Sequence, residues 1–447
     1  MCKHQAVGRQ RTPLLLLLPA LVMLGQSVKA APAVTPPKEA PYAEQYIAFA
    51  RQSCDRVEAN LPEIMRIAEV MAKRHLAGGA IGFVGGYYEG SGLTSELKGR
   101  SGGLINIGFD RVWTQDRTPK QKAKDMAIVA WDNGPWEDDL KKIKTFKDAG
   151  TYIIGFGPRR LPSLADRVAI CDIWLDTGLD AKTGVVKIPP REAGIKGQEV
   201  GRGNLLVNML NGWSLTAEFI SALTRKGKMP TIWKAYLYPD GREWGDRYFQ
   251  KKQFHDDFQI APIPAGRLAK SYLFAMRTNM SWFAQTQLPA VKQAAEAIAA
   301  ESAAGRQTLV VTSLHAPPTF TGKYEDKAWA KAFELGAADT YLQQTPDEAL
   351  VLRLGYSGIG QKEIDMFAQK KQRVLFITSQ NPHEERKIPA GLPVLIDMGW
   401  AYGDATVSIQ GFPIKILPPS GIMQIVAYES VNVEVLARLA LQPAPAL

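Results

Sequence analysis

A glycine-rich segment, residues 85–94, follows the first strand-like run and contains an acid and a hydroxyl that could act on a ligand. Its glycines let the backbone approach a bound molecule, and in open parallel sheets ligands lie beyond the carboxyl ends of the strands. We therefore expect Glu89 and Ser91 to face a cleft, Glu89 as a catalytic base and Ser91 as a binding hydroxyl. An ordinary turn between a strand and a helix is the alternative, and the sequence leaves it open.

Two histidines lie where an acid–base group would be useful. His255 lies in the sequence Phe-His-Asp-Asp at 254–257, and a neighbouring carboxylate would raise its pKa. We expect it to act as an acid, with a structural hydrogen bond to Asp256 as the alternative. His315 follows a later strand-like run, as Glu89 follows the first, and is expected to contact the ligand. No second spaced set of His and Asp accompanies them, so neither a metal nor another cofactor is expected.

Glu429 is an acid in the otherwise apolar segment 418–430. At helical spacing it could share one face with Gly421, Gln424 and Tyr428. A partly desolvated carboxylate there would have a raised pKa, which suits a catalytic base that moves a proton between adjacent carbons. The exposed edge of an amphipathic helix is the alternative.

The scaffold that would position these residues is indicated by short apolar runs that alternate with segments of helical period. This pattern predicts βαβ units with parallel sheets. The first series of runs comprises residues 80–84, 104–107, 126–131, 152–156 and 170–175. A second series comprises residues 308–312, 337–342, 349–354, 374–378 and 392–397. Each series closes with a predicted helix, at 203–224 and at 421–439. We therefore predict an α/β protein of two tandem flavodoxin-like domains, each with a parallel sheet flanked by helices.

Composition places the domain boundaries. Residues 1–30 carry a basic region, a short apolar run and small residues before a cleavage point, which predicts a signal peptide. A Pro-rich linker and an N-terminal helix follow at 31–77. The first domain covers 78–237, an insert and connecting helix cover 238–304, and the second domain covers 305–447.

Charge and cysteine content exclude several classes of protein. The 447 residues are 46% hydrophobic and include three cysteines, which fits neither a disordered chain nor a disulfide scaffold. Loss of residues 1–30 lowers the formal charge from +10 to +6, and the remaining basic residues are scattered, so nucleic-acid binding is not expected. No later apolar run is long enough to span a membrane. We expect an exported protein, periplasmic or secreted, in which pairing of Cys54 with Cys171 stays undecided.

The order of elements resembles the sugar isomerase (SIS) domain family. Residues 125–139, Asp-Met-Ala-Ile-Val-Ala-Trp-Asp-Asn-Gly-Pro-Trp-Glu-Asp-Asp, stand where the family pattern has "DLVI", a Ser-x-Ser-Gly-x-Thr turn and a helix. Residues 162–168, Pro-Ser-Leu-Ala-Asp-Arg-Val, resemble the family's "S-x-L-A-x-x-A-D" segment. The resemblance covers 78–224 well and 307–439 more loosely. It implies tandem SIS domains and isomerisation of a sugar.

The turn after the third run of the first series departs from the family pattern. In sugar-phosphate members, hydroxyls of this turn and backbone N–H groups hold the phosphate at a helix N-terminus. Here the turn has no hydroxyl and carries Asp132, Asn133, Trp136 and Glu137. Carboxylates repel a phosphate dianion, so we expect a non-phosphorylated or amino sugar, hydrogen-bonded by the acids and the amide and stacked on Trp136.

Two further substrate-binding residues are predicted in the second series. Ser357 is the one hydroxyl that its turn keeps, and Asp404 ends an aromatic loop. The prediction is an exported SIS-type protein that binds a small-molecule sugar or sugar derivative and acts as an aldose–ketose isomerase. Two alternatives stay open: an enzyme that cleaves a glycosidic or ether bond with Glu89, Asp132 and Glu137, and a non-catalytic periplasmic sugar receptor. The sequence decides neither the sugar nor whether the chain forms a homo-oligomer.

Overall fold

The computed structural model describes residues 41–84, 92–107, 117–132, 134–179, 184–189, 198–312, 329–334, 338–380 and 387–441. The predicted signal peptide, residues 1–30, lies outside this part of the chain. So do four predicted site residues: Glu89, Ser91, Asn133 and His315.

The first half of the described chain begins with a pair of helices and ends with a long one. Its elements are α1 (Tyr42–Ala59), α2 (Leu61–Leu76), β1 (Ile81–Phe83), α3 (Leu93–Leu97), α4 (Pro119–Lys122), β2 (Met126–Ala130), α5 (Asp139–Asp148), β3 (Tyr152–Gly157), a 3₁₀ turn (Pro162–Leu164), α6 (Ala165–Ile170), β4 (Ile173–Asp176), β5 (Val186–Ile188), β6 (Gln198–Val200) and α7 (Gly203–Thr224).

The second half repeats this order after a connecting segment with little regular structure. The connecting segment contains β7 (Met229–Pro230), α8 (Gly241–Tyr248) and β8 (Phe254–His255). The second half contains α9 (Arg267–Thr286), α10 (Leu288–Ala303), β9 (Thr308–Thr312), β10 (Ala330–Glu334), α11 (Ala338–Gln344), β11 (Leu350–Leu354), α12 (Gln361–Gln369), β12 (Arg373–Thr378), β13 (Val394–Asp397) and α13 (Ser420–Leu441).

Two parallel sheets hold the main strands. The first has the order β1-β2-β3-β4 and the second the order β10-β9-β11-β12-β13, and every neighbouring pair in them is parallel. In strands β2, β9 and β11 every residue is buried, as expected for a sheet covered by helices on both faces. The predicted α/β class with two flavodoxin-like sheets is confirmed.

Two of the predicted strand runs are wrong. Residues 104–107 join no sheet in the described chain; Leu104 makes an isolated antiparallel bridge to Ile232 of the connecting segment. The run predicted at 337–342 falls largely in α11, because its alanines favour a helix. Among its described side chains only Tyr341 is fully buried, which is not the alternation of a strand. The edge strand of the second sheet is β10 instead.

The two halves correspond in their contacts as well as in their order. After β4, Asp176 Oδ1 accepts hydrogen bonds from the backbone N–H groups of Arg159 at 3.0 Å and Gly178 at 2.9 Å. After β13, Asp397 Oδ1 accepts from the N–H groups of Gln380 at 3.2 Å and Gly399 at 2.9 Å. The turn after the last strand of each sheet is therefore held by an equivalent pair of hydrogen bonds to an aspartate.

A broken helix precedes each sheet. The first break reads Asn60-Leu61-Pro62 and the second Gln287-Leu288-Pro289, and proline in the first turn of α2 and of α10 suits the start of a new helix. Helix α2 packs on α7 and α10 packs on α13, while α1 crosses to α13 and α9 crosses to α7. The first helix of each half thus packs against the last helix of the other half.

Buried carboxylates form hydrogen bonds between the helices that cross from one half to the other. Glu218 of α7 accepts hydrogen bonds from the N–H groups of Gly266 at 2.7 Å and Ala269 at 3.2 Å, at the start of α9. Glu434 of α13 accepts from the N–H of Ala43 at 2.9 Å, at the start of α1. Each carboxylate satisfies backbone donors that a helix N-terminus leaves without an intrahelical partner.

The two long helices α7 and α13 lie in the interior. All 22 residues of α7 are buried, and α13 is buried from its first residue to Ala437, as expected of helices that are apolar on all sides. Within the described chain no helix combines the length and the apolar character needed to cross a membrane. Cys54 and Cys171 are both free thiols.

Candidate functional site

Four side chains from four separate segments lie within electrostatic range of one another near the carboxyl ends of the first sheet. Asp132 follows β2, Arg202 immediately precedes α7, Tyr46 lies on α1 and Glu429 lies on α13. Burial, and after it the charge of Glu429, raise the pKa of Tyr46 well above its usual value, with smaller effects of Arg202 and Asp132. Tyr46 Oη donates a hydrogen bond to the carbonyl of Arg202 at 2.9 Å. We call these four residues the strand-end cluster.

Asp132 is an acid of the strand-end cluster with a strongly shifted pKa. The residue is 6% exposed, and its Oδ1 has no hydrogen-bond partner within the described residues. Burial raises its pKa to about 7; Glu429 adds to this effect and Arg202 opposes it. Near neutral pH the carboxyl therefore exists in both protonation states, as a general acid or base requires.

Glu429 lies in the interior rather than on an exposed helix edge, since it is 1% exposed. From α13, the last helix of the second half, it acts electrostatically on Tyr46 and Asp132, because the crossed helices bring α13 against α1. The structure therefore brings together two of the acids that the sequence singled out, Asp132 and Glu429.

A polar stripe on α7 holds the ends of the strands beside the cluster. Asn208 Nδ2 donates to the carbonyl of Trp131 at 2.8 Å, and Thr177 Oγ1 donates to Asn204 Oδ1 at 2.6 Å. The amide atoms of Asn211 have no hydrogen-bond partner in the described part of the chain. Sequence reasoning missed this stripe, although asparagine recurs at helical spacing in an otherwise apolar helix. It missed Arg202 and Tyr46 as well.

Two further predicted site residues of the first-half turn, Trp136 and Glu137, lie in the described chain. Trp136 is partly buried, and the Lys142 ammonium lies 5.0 Å from the centre of its ring. Glu137 is exposed to solvent. One face of the indole is thus covered by a cation, and Glu137 is available at the surface.

Ser357 and Asp404 belong to a second cluster, at the carboxyl end of the second sheet. Asp404 accepts hydrogen bonds from Tyr356 Oη at 2.8 Å, from Ser420 Oγ at 2.8 Å and from the N–H of Ser420 at 3.1 Å. Burial raises its pKa to about 7, while these two hydroxyls and the charge of Arg100 oppose the rise. Ser357 is fully buried, and its Oγ has no hydrogen-bond partner among the described residues.

A buried ion pair connects this second cluster to the first half. The Arg100 guanidinium lies 2.8 Å from the Glu96 carboxylate, and both side chains are at most 1% exposed. Glu96 also accepts a hydrogen bond from Trp213 Nε1 at 2.9 Å. Asp404, which accepts three hydrogen bonds, two of them from Ser420 at the start of α13, therefore has the character of a structural cap on that helix, whereas Oδ1 of Asp132 has no donor among the described residues.

His255 lies in the connecting segment among aromatic rings. It is 4% exposed, its Nε2 accepts from the N–H of Ile232 at 3.2 Å, and its Nδ1 lies 3.5 Å from Asp257 Oδ1. Burial lowers its pKa to about 4 and outweighs the opposing effect of Asp257. The expectation of a raised pKa is wrong, and the residue is neutral near pH 7. Its partner is Asp257 rather than Asp256, and these contacts favour a structural role.

Within the described residues no group of three or more His, Cys, Asp or Glu side chains could hold a metal ion. Two surface cavities of about 510 and 1090 Å³ lie away from both clusters. The smaller is lined by α1, α2 and α9, and the larger lies at the amino ends of β9 to β12. Because parallel sheets bind ligands at the carboxyl ends of their strands, the strand-end cluster is the better candidate site.

No family model matches the chain, and no curated protein matches it. Solved structures similar to it include a candidate sugar-binding protein from Salmonella typhimurium LT2, with 11% identity over 89% of this chain and 99% of that chain and a TM-score of 0.45. A candidate phosphosugar isomerase from Clostridium difficile 630 shares 10% identity over 89% and 93% of the two chains, with a TM-score of 0.49. The C-terminal domain of glucosamine-fructose-6-phosphate aminotransferase from Francisella tularensis shares 9% identity over 86% and 96%, with a TM-score of 0.42. The resemblance is one of fold. No residue role is taken from it.

Proposed function

We propose that the strand-end cluster binds a sugar and transfers a proton between two adjacent carbons, as in aldose–ketose isomerisation. The observation that supports this is that Asp132, an interior carboxyl at the end of a parallel strand, lies within electrostatic range of the interior carboxyl of Glu429 and of Arg202. Such a reaction needs one group that takes a proton and one that gives a proton at the same pH. A carboxyl with a pKa of about 7 next to a second carboxyl meets that need.

In the proposed reaction Glu429 removes the proton from the carbon next to the sugar carbonyl. Asp132, in its protonated form, hydrogen-bonds to the carbonyl oxygen and gives it a proton, so that an enediol forms. Return of the proton from Glu429 to the neighbouring carbon, and loss of a hydroxyl proton to Asp132, complete the isomerisation with no net change in protons. Arg202 and the first N–H groups of α7 stabilise the negative charge that develops on oxygen.

The proposed substrate is a sugar without a phosphate group. The described part of the first-half turn, residues 132 and 134–137, has no hydroxyl side chain, and the ionised carboxylate of Asp132 would repel a phosphate dianion beside it. We further propose that the protein acts after export, in the periplasm or outside the cell. This follows from the composition of residues 1–30, and N-terminal sequencing of the mature protein tests it.

The experiment is incubation of the purified protein with glucose, glucosamine, N-acetylglucosamine and glucose 6-phosphate, followed by product analysis. We expect one of the free or amino sugars to be converted. Asp132→Asn and Glu429→Gln should each lower the rate about 100-fold or more. The matched control is Glu137→Gln, which removes an exposed carboxyl from the same turn and should leave the rate within about twofold.

Two results would favour the other classes. If every sugar returns unchanged while one of them raises the melting temperature, the protein is a receptor and the isomerase proposal fails. Release of new reducing ends from a disaccharide, without interconversion of free sugars, would favour cleavage of a glycosidic bond.

A further inference from the structure

Three buried side chains form a chain of hydrogen bonds that ends on Glu429. Trp329 Nε1 donates to Asn432 Oδ1 at 2.9 Å, and Asn432 Nδ2 donates to Glu429 Oε2 at 3.1 Å. Their residues are 0%, 8% and 1% exposed. We call this chain the indole–amide relay.

The chemistry of the first donor fixes the direction of the relay. An indole N–H donates hydrogen bonds and never accepts them, whereas a carboxamide has one accepting and one donating end. Because Trp329 donates to Asn432, the oxygen of the amide must face the indole and its NH₂ must face Glu429. Oε2 of Glu429 is therefore held as an acceptor, and a proton that the carboxyl takes up goes to Oε1.

We propose that Trp329 and Asn432 are positioning residues, which orient the Glu429 carboxylate so that Oε1 receives the proton taken from the sugar. This inference rests on the proposed role of Glu429 as the base. A donor to a carboxylate also favours its ionised form. The relay thus counteracts the tendency of burial to protonate Glu429, and keeps the group able to accept a proton.

The indole–amide relay also connects the second half of the chain to the site of the first half. Trp329 immediately precedes β10, and its carbonyl accepts a hydrogen bond from the N–H of Thr308, at the start of β9, at 2.9 Å. Its ring lies 6.0 Å from the ring of Tyr428 on α13. The edge of the second sheet therefore sets the orientation of a group that serves the first sheet.

The test is a pH titration of the full chain, monitored by NMR with a ¹³C label in the glutamate carboxyls. The signal that disappears in Glu429→Gln is assigned to Glu429. Asn432→Leu removes the donor to Oε2, and Trp329→Phe removes the group that fixes the amide direction. In each variant we expect the pKa of Glu429 to rise by about one unit. The matched control is Trp244→Phe, which removes a buried indole hydrogen bond to the carbonyl of Ile232, 2.8 Å long, in the connecting segment.

An unchanged Glu429 titration in either folded relay variant, or an equal shift in Trp244→Phe, overturns the inference. If one relay variant does not fold, as judged by circular dichroism, the other decides the matter alone. The titration needs no substrate, so its outcome is independent of whether the proposed isomerisation is found. If the wild-type protein converts a sugar, both relay variants should lower kcat and leave KM nearly unchanged. The acidic limb of the pH profile of kcat should move toward higher pH.

Discussion

Replacing Asp132 by asparagine should stabilise the folded protein above pH 7 and slightly destabilise it at pH 4. In the folded protein burial raises the pKa of this carboxyl from 3.8 to about 7. Between these two pH values the folded chain keeps a proton that the unfolded chain has released. The free energy of unfolding of the wild type therefore falls as the pH rises from about 4 to about 7, and above pH 7 the full cost of the buried charge is present.

The size of the effect follows from the shift. A rise of about three pKa units corresponds to a cost of at most about 4 kcal/mol at pH 8, at 1.36 kcal/mol per unit. Asparagine keeps the shape of the side chain and removes the charge. Its amide then needs hydrogen-bond partners that Oδ1 of the acid lacks, which costs about 1–2 kcal/mol. At pH 8 the variant is therefore expected to be about 2–3 kcal/mol more stable than the wild type, and at pH 4, where the charge is absent, about 1–2 kcal/mol less stable.

The assay is urea unfolding of wild type and Asp132→Asn at pH 4 and pH 8. The matched control is Asp404→Asn, since burial also raises the pKa of Asp404 to about 7 but this acid accepts three hydrogen bonds from Tyr356 and Ser420. The gain there should be smaller or absent because the amide cannot accept all three. Equal effects of Asp132→Asn at the two pH values would refute the raised pKa of this buried carboxyl.

Three further outcomes are expected. Glu218→Gln should lower the free energy of unfolding by about 1–2 kcal/mol through weaker capping of α9, and the exposed control Glu296→Gln should change it by less than about 0.5 kcal/mol. Gly399→Ala should lower the free energy of unfolding more than Gly305→Ala. Both glycines have positive φ, but an added Cβ lies 2.3 Å from the Trp282 ring at Gly399 and has no atom within 4 Å at Gly305. Equal losses of stability in the two variants would contradict this. The His255 ring should titrate near pH 4 by NMR, so that stability falls as the pH drops from about 6.5 to about 4, and a midpoint at or above 6.5 would contradict its burial.

Much of the architecture could be predicted from local sequence patterns. The helix predicted at 203–224 has these bounds in the structure, and the predicted runs at 308–312 and 374–378 match β9 and β12 to within one residue. Buried parallel strands are continuous apolar runs between turns, which a single sequence displays well. The run at 104–107 has the same composition, yet its partner is the connecting segment, and this choice depends on contacts distant in sequence.

The candidate site was predictable only in part. Asp132 and Glu429 stood out as acids next to apolar segments, but their meeting depends on the crossing of α1 and α13, which no local pattern encodes. Arg202 and Tyr46 carry no local signal for the same reason. For His255 the neighbouring acids suggested a raised pKa, whereas the aromatic rings that bury it come from several segments, including Phe412.

The central claim is that Asp132 and Glu429 transfer a proton on a sugar, and deuterium exchange tests it most directly. The protein is incubated with glucose, glucosamine and N-acetylglucosamine in D₂O, and NMR follows the proton on the carbon next to the carbonyl. We expect loss of that signal for one sugar with wild type and with Glu137→Gln, and its retention with Glu429→Gln. Retention of the signal for every sugar with wild-type protein, or loss at an equal rate with Glu429→Gln, would contradict it.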